Sequence, residues 1–251
     1  MKTLSLTDYS FRNSDRFVFF TQMLKKHGWK ALYKQFRPHD YRPWSREVVR
    51  KWISPEGCGL EVGVGEWTIS PVNRTVLSDG FQSHAENSSI ANVFFPADQI
   101  PFSEGTFSFL LSEHVLEHVP NVYKTIQEWR RVLAKGGTLV LFLPHPKRTF
   151  DCHRKETTLE HLREEARVGA EVFEDEHWMD WKTEVLERNL APQYWNMSKE
   201  EALKTGSLHR HVFGPERTQE ILKENGFTVV FSHPDVPDRP DSFVMIARKD
   251  S

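Results

Sequence analysis

Cysteine is almost absent from this 251-residue sequence. Cys58 and Cys152 show no metal or redox spacing, and two thiols are too few to staple a scaffold. No apolar run approaches the ~20 residues that a helix needs to cross a bilayer. The opening residues, Met1 to Asp8, lack the apolar stretch of a secretory leader. A cytoplasmic protein with no membrane partner is therefore expected. A large net charge is missing as well, at −2 overall, yet that balance hides an asymmetry. Residues 1–55 hold 12 Lys and Arg against 4 Asp and Glu, whereas residues 149–205 hold 8 against 14. Blocks of opposite sign describe regions of different character rather than one uniform chain. With 38% hydrophobic residues, the length suffices for a globular unit with a sizeable core.

Residues 1–55 read as an N-terminal helical cap. Ser14-Asp15 can cap a helix through Phe17, Phe20, Met23 and Leu24. Trp29, Leu32, Tyr33 and Phe36 continue at helical spacing, and a further helix is expected after Pro43, with Trp44, Val48, Val49 and Trp52 on one face. Cations interleave with these aromatics, as they do on nucleic-acid-binding surfaces. The plainer reading is a buried aromatic face with solvated cations behind it.

Residues 56–148 carry the densest signal. Gly57-Cys58-Gly59-Leu60-Glu61-Val62-Gly63-Val64-Gly65-Glu66 reads as an apolar strand entering a glycine turn, with an acid two positions before the first turn glycine. A strand, a Gly-x-Gly turn and a helix start together form a nucleotide cradle, although such turns also serve as plain strand corners. Trp67 to Asn73 is too short and Pro-containing for a long helix. Arg74 to Gly80 is a second strand ending in Asp79, placed to accept hydrogen bonds from ribose hydroxyls. Further strands are expected at 91–95, 107–112 and 138–143. A helix from Asn121, with Val122, Ile126, Trp129, Val132 and Leu133 on its buried stripe, should stop at Lys135-Gly136-Gly137.

Three strings in order carry a family resemblance: Ala97-Asp98-Gln99-Ile100-Pro101-Phe102 with Phe107, then Ser112-Glu113-His114-Val115-Leu116-Glu117-His118, then Arg130-Arg131-Val132-Leu133-Ala134-Lys135-Gly136-Gly137. Together they resemble the class I S-adenosylmethionine-dependent methyltransferases, in the large "type 11"-like group. The resemblance implies an α/β fold, a doubly wound and mostly parallel seven-stranded sheet, with S-adenosyl-L-methionine as cofactor. It places Glu61, Gly63, Val64 and Gly65 beside the methionine part of that cofactor and Asp79 at the ribose. It places Asp98, with Gln99 adjacent, at the adenine, and Ser112 and Glu113 under the sulfonium. Three departures stand out. Trp67 replaces a common third glycine, Asp79 comes only 14 residues after Gly65, and Phe107-Ser108 replaces Phe-Asp.

Residues 149–210 form an insertion rich in His, Trp and acids, expected as a lid over the acceptor. Its Arg-x-x-Thr-Thr-Leu-Glu-His-Leu run, from Arg154 to Leu162, resembles a subgroup linked to glycan or sugar modification. The Thr157/Thr158 pair can cap a helix there. Methylation at oxygen needs a base, and imidazole suits that task. His145 and His153 are the candidates, with Asp151 as orienting partner. His153, His161, Glu176, His177, His209 and His211 are also types that ligate metals, but no pair has a diagnostic spacing, and no metal is assigned.

Residues 211–251 complete the core with a helix from Pro215 stopped by Asn225-Gly226, then strands at 227–231 and 243–247, the last antiparallel. The expected activity is methylation of a small polar acceptor, a sugar, nucleotide-sugar or similar molecule, at oxygen. The alternatives are a nucleic-acid methyltransferase, for which only the basic first segment speaks, a nicotinamide oxidoreductase using the same cradle, and a cofactor-binding protein without catalysis. Oligomeric state is not legible.

Overall fold

The computed structural model describes residues 3–6, 42–84 and 87–250. The helices expected between Ser14 and Arg37 lie outside the described residues. The helix after Pro43 forms as α1 (Pro43–Trp52). Proline in its first turn has no N–H to leave unsatisfied. Val48 and Val49 are its buried face, and Trp44 and Trp52 pack beside them.

Short apolar runs then build the sheet: β1 (Gly59–Val62), β2 (Thr75–Asp79), β5 (Val93–Phe94), β6 (Phe107–Glu113), β7 (Leu133–Pro144), β8 (Phe227–His233) and β9 (Ser242–Lys249). A separate two-residue pair, β3 (Ser83–His84) and β4 (Asn87–Ser88), lies between β2 and β5 in sequence. The large sheet has the order β5-β2-β1-β6-β7-β9-β8. Its first five strands are parallel, and β9 runs antiparallel between β7 and β8. This is the expected doubly wound α/β architecture.

Both faces of the sheet are covered, as an apolar parallel strand requires. One face packs α2 (Val122–Val132), α3 (Leu159–Val168) and α6 (Pro215–Glu224) against Leu60, Leu110 and Leu141. The other packs α1 and Ile69 against Phe109, Leu111 and Val140. Caps set the helix starts: Asn121 accepts from Lys124 N at 2.9 Å, and Thr158 accepts from His161 N at 3.1 Å.

Two local expectations change. The α2 helix stops at Val132, three residues early, because Leu133 already pairs with Phe107 in the β6–β7 ladder. No helix follows the glycine turn. The chain from Gly63 to Arg74 crosses instead as bends and turns that contain Pro71. The insertion folds around a small core of its own, with Trp181, Val185, Ala191, Ala202 and Leu208 drawn from α4 (Glu174–Trp181), α5 (Lys199–Thr205) and the segments between and after them. Among the described residues, no helix is long and apolar enough to cross a membrane.

Candidate active site

A cavity of about 500 Å³ opens where four parallel strands end. Gly63 follows β1, Asp79 closes β2, Glu113 closes β6 and Pro144 closes β7. Carboxyl ends of parallel strands are where such sheets bind ligands, because neighbouring loops part there. The opposite wall comes from the insertion, through Phe150, Tyr194 and His209.

The glycine turn shapes the floor. Gly63 has φ +72°, and a Cβ there would meet Val115 Cγ2 at 2.2 Å. Gly65 has φ +55°, and a Cβ there would meet nothing within 4 Å, so this backbone faces open space. Asp79 bends back onto the same turn. One carboxylate oxygen accepts from Gly65 N at 3.1 Å and the other from Phe81 N at 3.3 Å. Two amides thus fix a carboxylate at the cavity edge. Trp67, where the family pattern has a glycine, borders the cavity with 40% of its surface exposed.

Glu61 does not border the cavity. Its buried carboxylate accepts from the Thr68 hydroxyl, from Ile69 N at 3.0 Å and from Ser70 N at 3.3 Å, and so pins the segment that carries Trp67. Burial pushes this carboxyl up to about 7, against the pull of those donors. Ser112 is buried and also behind the wall, whereas Val64 and Glu113 border it. The structure does not bring Asp98 and Gln99 to this cavity. Asp98 accepts from Lys124 Nζ at 2.7 Å, and Gln99 borders a separate surface recess with Ile100 and Arg131.

Glu113 anchors a charged network invisible in the sequence. Its carboxylate meets Arg42, and Arg239 lies 3.0 Å away. Arg42 is buried at φ 60° just before α1, and it also donates to Asp238 at 3.2 Å and Ser45 Oγ at 3.1 Å. Arg239 donates to His114 Nδ1 at 3.1 Å, and His114 Nε2 sits 2.7 Å from Ser242 Oγ. The ring is therefore the Nε2–H tautomer, donating to Ser242. Burial, then the adjacent Arg239, hold this imidazole well below its ordinary range.

The base candidates rearrange. His145 is outside the cavity lining, and its Nδ1 accepts from Lys147 N at 3.2 Å. Burial and Arg148 lower its pKa. His153 is exposed. Asp151 pairs instead with His209, Nδ1 to Oδ2 at 2.6 Å, while Arg154 donates to its other oxygen at 2.8 Å. Burial pushes the Asp151 carboxyl up, but His209 and Arg154 outweigh it and hold it below its ordinary value. His209 borders the cavity, with its ring 4.5 Å from those of His118 and Phe150. Beneath it lies Glu117, buried, with neither carboxylate oxygen hydrogen-bonded, and pushed up to about 7 by burial. Fifty-eight residues separate Asp151 from His209, so no local spacing could have paired them.

Residues 68–141 match the family model described as a methyltransferase domain. An uncharacterized protein of Methanocaldococcus jannaschii is 28% identical over 145 residues, covering 56% of this chain and 65% of that protein. A sterol 4-C-methyltransferase of Caenorhabditis elegans is 26% identical over 137 residues, covering 51% and 40%. The chain thus spans less than two thirds of the length of either relative. Among solved structures, an S-adenosylmethionine-dependent methyltransferase from Mesorhizobium loti shares the fold, at a TM-score of 0.50 over 82% of this chain and 96% of its own, with 13% identity.

Proposed function

We propose that this chain, a class I S-adenosylmethionine-dependent methyltransferase, methylates an oxygen of a small polar acceptor held between the glycine turn and the insertion. The observation that carries the proposal is the opposition, across one cavity, of the Gly63–Gly65 turn with Asp79 on one side and the His209–Asp151 pair on the other.

S-adenosylmethionine is the cofactor, and the turn fits it. Gly65 leaves its backbone open to close approach. Asp79, with each oxygen already holding one amide, retains lone pairs for ribose hydroxyls. Glu61 acts at one remove, by fixing the segment that carries Trp67. When bound, the cofactor supplies a methyl group activated by its sulfonium.

The remaining work is alignment and removal of a proton, and alignment alone is worth up to ~7–11 kcal/mol. Asp151 accepts from His209 Nδ1, which leaves Nε2 of the neutral ring as an acceptor for a hydroxyl proton. Arg154 locks this geometry, since it also donates to the His209 carbonyl at 2.9 Å and to Asp180 at 2.7 Å. Phe150, Tyr194 and Trp67 supply the aromatic surface that keeps water from the reacting groups. Sugar and nucleotide-sugar hydroxyls are the acceptor class put forward.

Calorimetric titration with S-adenosylmethionine, S-adenosylhomocysteine and NAD tests the cofactor, and absence of binding by both sulfur nucleotides would overturn the reading. Transfer of labelled methyl to a panel of nucleotide-sugars tests the acceptor class. His209→Asn should then lose turnover while keeping its affinity for S-adenosylhomocysteine. Full turnover in that variant removes His209 from the role.

A further inference from the structure

Four side chains outside the cavity converge on one buried point. His161 and Glu165 lie one turn apart on α3, and therefore on one face. His177 comes from α4 and His211 from the extended segment before α6. Glu165 has no exposed surface. Its carboxylate meets His177 Nε2 at 2.6 Å, His211 Nε2 at 3.0 Å and His161 Nε2 at 3.3 Å. One candidate ligand atom from each of the four lies within 4.8 Å of all the others.

We propose that His161, Glu165, His177 and His211 form a site for one divalent transition-metal ion, zinc by preference, that clamps the insertion onto the sheet. The donor set is three imidazoles and a carboxylate, a combination zinc accepts at ~2.0–2.2 Å in tetrahedral geometry. Ligand atoms around such an ion stand about 3.3 Å apart. The His161 and His211 separations from Glu165 are already close to that value, whereas His177 sits nearer to the carboxylate.

Hydrogen bonding alone leaves this cluster incomplete. His177 and His211 satisfy the carboxylate, but His161 Nε2 is buried, beside Glu165, and without a hydrogen-bond partner. A buried nitrogen left unpaired has lost its water and gained nothing in exchange. A cation turns that loss into a bond, because all three Nε2 atoms then donate lone pairs to one centre. The outer face of the site agrees. His211 Nδ1 is also buried without a hydrogen bond, as are both oxygens of Glu117, whose nearest imidazole nitrogens, on His114 and His118, stand 3.7 Å off. His211 and Glu117 border the same cavity of about 10 Å³, close to the room that one water needs. An imidazole ligating through Nε2 carries its proton on Nδ1 and usually hands it to a carboxylate or water, and Glu117 stands ready for that part.

With four protein ligands the site is closed, and its role is structural. It would join α3, α4 and the 209–211 segment, whose His211 N already donates to Glu117 O at 3.1 Å. His209, two residues from His211, then owes its position in the cavity wall partly to the ion. The metal site does not rest on the methyltransferase reading, because none of its readouts uses cofactor or acceptor.

The test uses the full untagged chain, purified without chelator and dialysed against metal-free buffer. Elemental analysis should find about one zinc per chain. Chelation followed by Co2+ titration should give the visible d–d absorption of a tetrahedral ion, saturating at about one equivalent. Zn2+ added back to the stripped protein should raise its melting temperature, and Mg2+ should not. His177→Ala and Glu165→Gln should each lose the cobalt band. A stripped wild-type protein that shows no cobalt band and no zinc-dependent melting shift overturns the proposal, as does an unchanged band in both variants. If the variants fail to fold, the wild-type stoichiometry and spectrum decide alone.

Discussion

Asp79 and Glu61 are two carboxylates on neighbouring strands with opposite duties. Asp79 faces the cavity, and its removal strips partners from Gly65 N and Phe81 N as well as the carboxylate proposed to hold the ribose. Charge-assisted hydrogen bonds are worth ~1.5–3 kcal/mol, so Asp79→Ala should weaken S-adenosylhomocysteine binding about tenfold or more by calorimetry. Glu61 is buried and holds a segment in place. Its carboxyl is raised from 4.5 to about 7 in the folded chain. Between those values the folded state binds the proton more tightly than the unfolded state. The stability this contributes is present below pH 4.5 and lost as pH rises through about 7. Two to three pKa units correspond to about 3 kcal/mol. Urea unfolding at about pH 5 and about pH 8 should show a loss in the wild type, to which the similarly raised Glu117 also contributes, and Glu61→Gln should remove only the part due to Glu61.

At the scale of elements, end residues decide most. Thr158 caps α3 through His161 N, and Thr158→Ala should cost about 1 kcal/mol in denaturant unfolding. Arg42 fastens the start of α1 to Glu113 and Asp238, and Ser45 N and Oγ reach Asp238 at 3.0 and 2.6 Å. Breaking a buried pair strands the other charge, so Arg42→Ala should cost ~3–5 kcal/mol by the same measurement. Elements that carry their own periodicity are legible in the residues alone: β1, β2, β6, the apolar end of β7, α3 from its threonine pair, and α6 between Pro215 and Asn225. What is not legible depends on distant partners. The helix signal through Leu133 is real, but a neighbouring strand claims that residue. Asp151 is expected to pair with the nearby His145 or His153, yet the ring it meets is that of His209, far along the chain. Arg42 and Arg239 meet at Glu113 from opposite ends of the chain, and nothing in either local sequence announces it.

At the scale of the molecule, two cores meet around one cavity. The sheet supplies a floor, and the insertion, with Trp181 fully buried in its own cluster, supplies a roof. Trp181→Ala should therefore cost ~3–5 kcal/mol through the cavity it leaves. It should also slacken the wall that holds Tyr194, whose ring lies 5.7 Å from that of Trp181. A protease digest of the variant should nick the insertion before the sheet.

The position of β9 has a consequence for how the chain is made. β7 is buried from Thr138 to Pro144, with β9 paired along its far edge, and β9 comes from residues 242–249. Until a ribosome has released those residues, the growing chain carries an unpaired apolar strand edge, the kind that recruits strands from other chains. The β8–β9 hairpin must then enter as a unit, with β9 innermost. Early termination anywhere before Ser242 would leave an aggregation-prone edge at the middle of the sheet, even with every cavity residue from the glycine turn to His209 already synthesised.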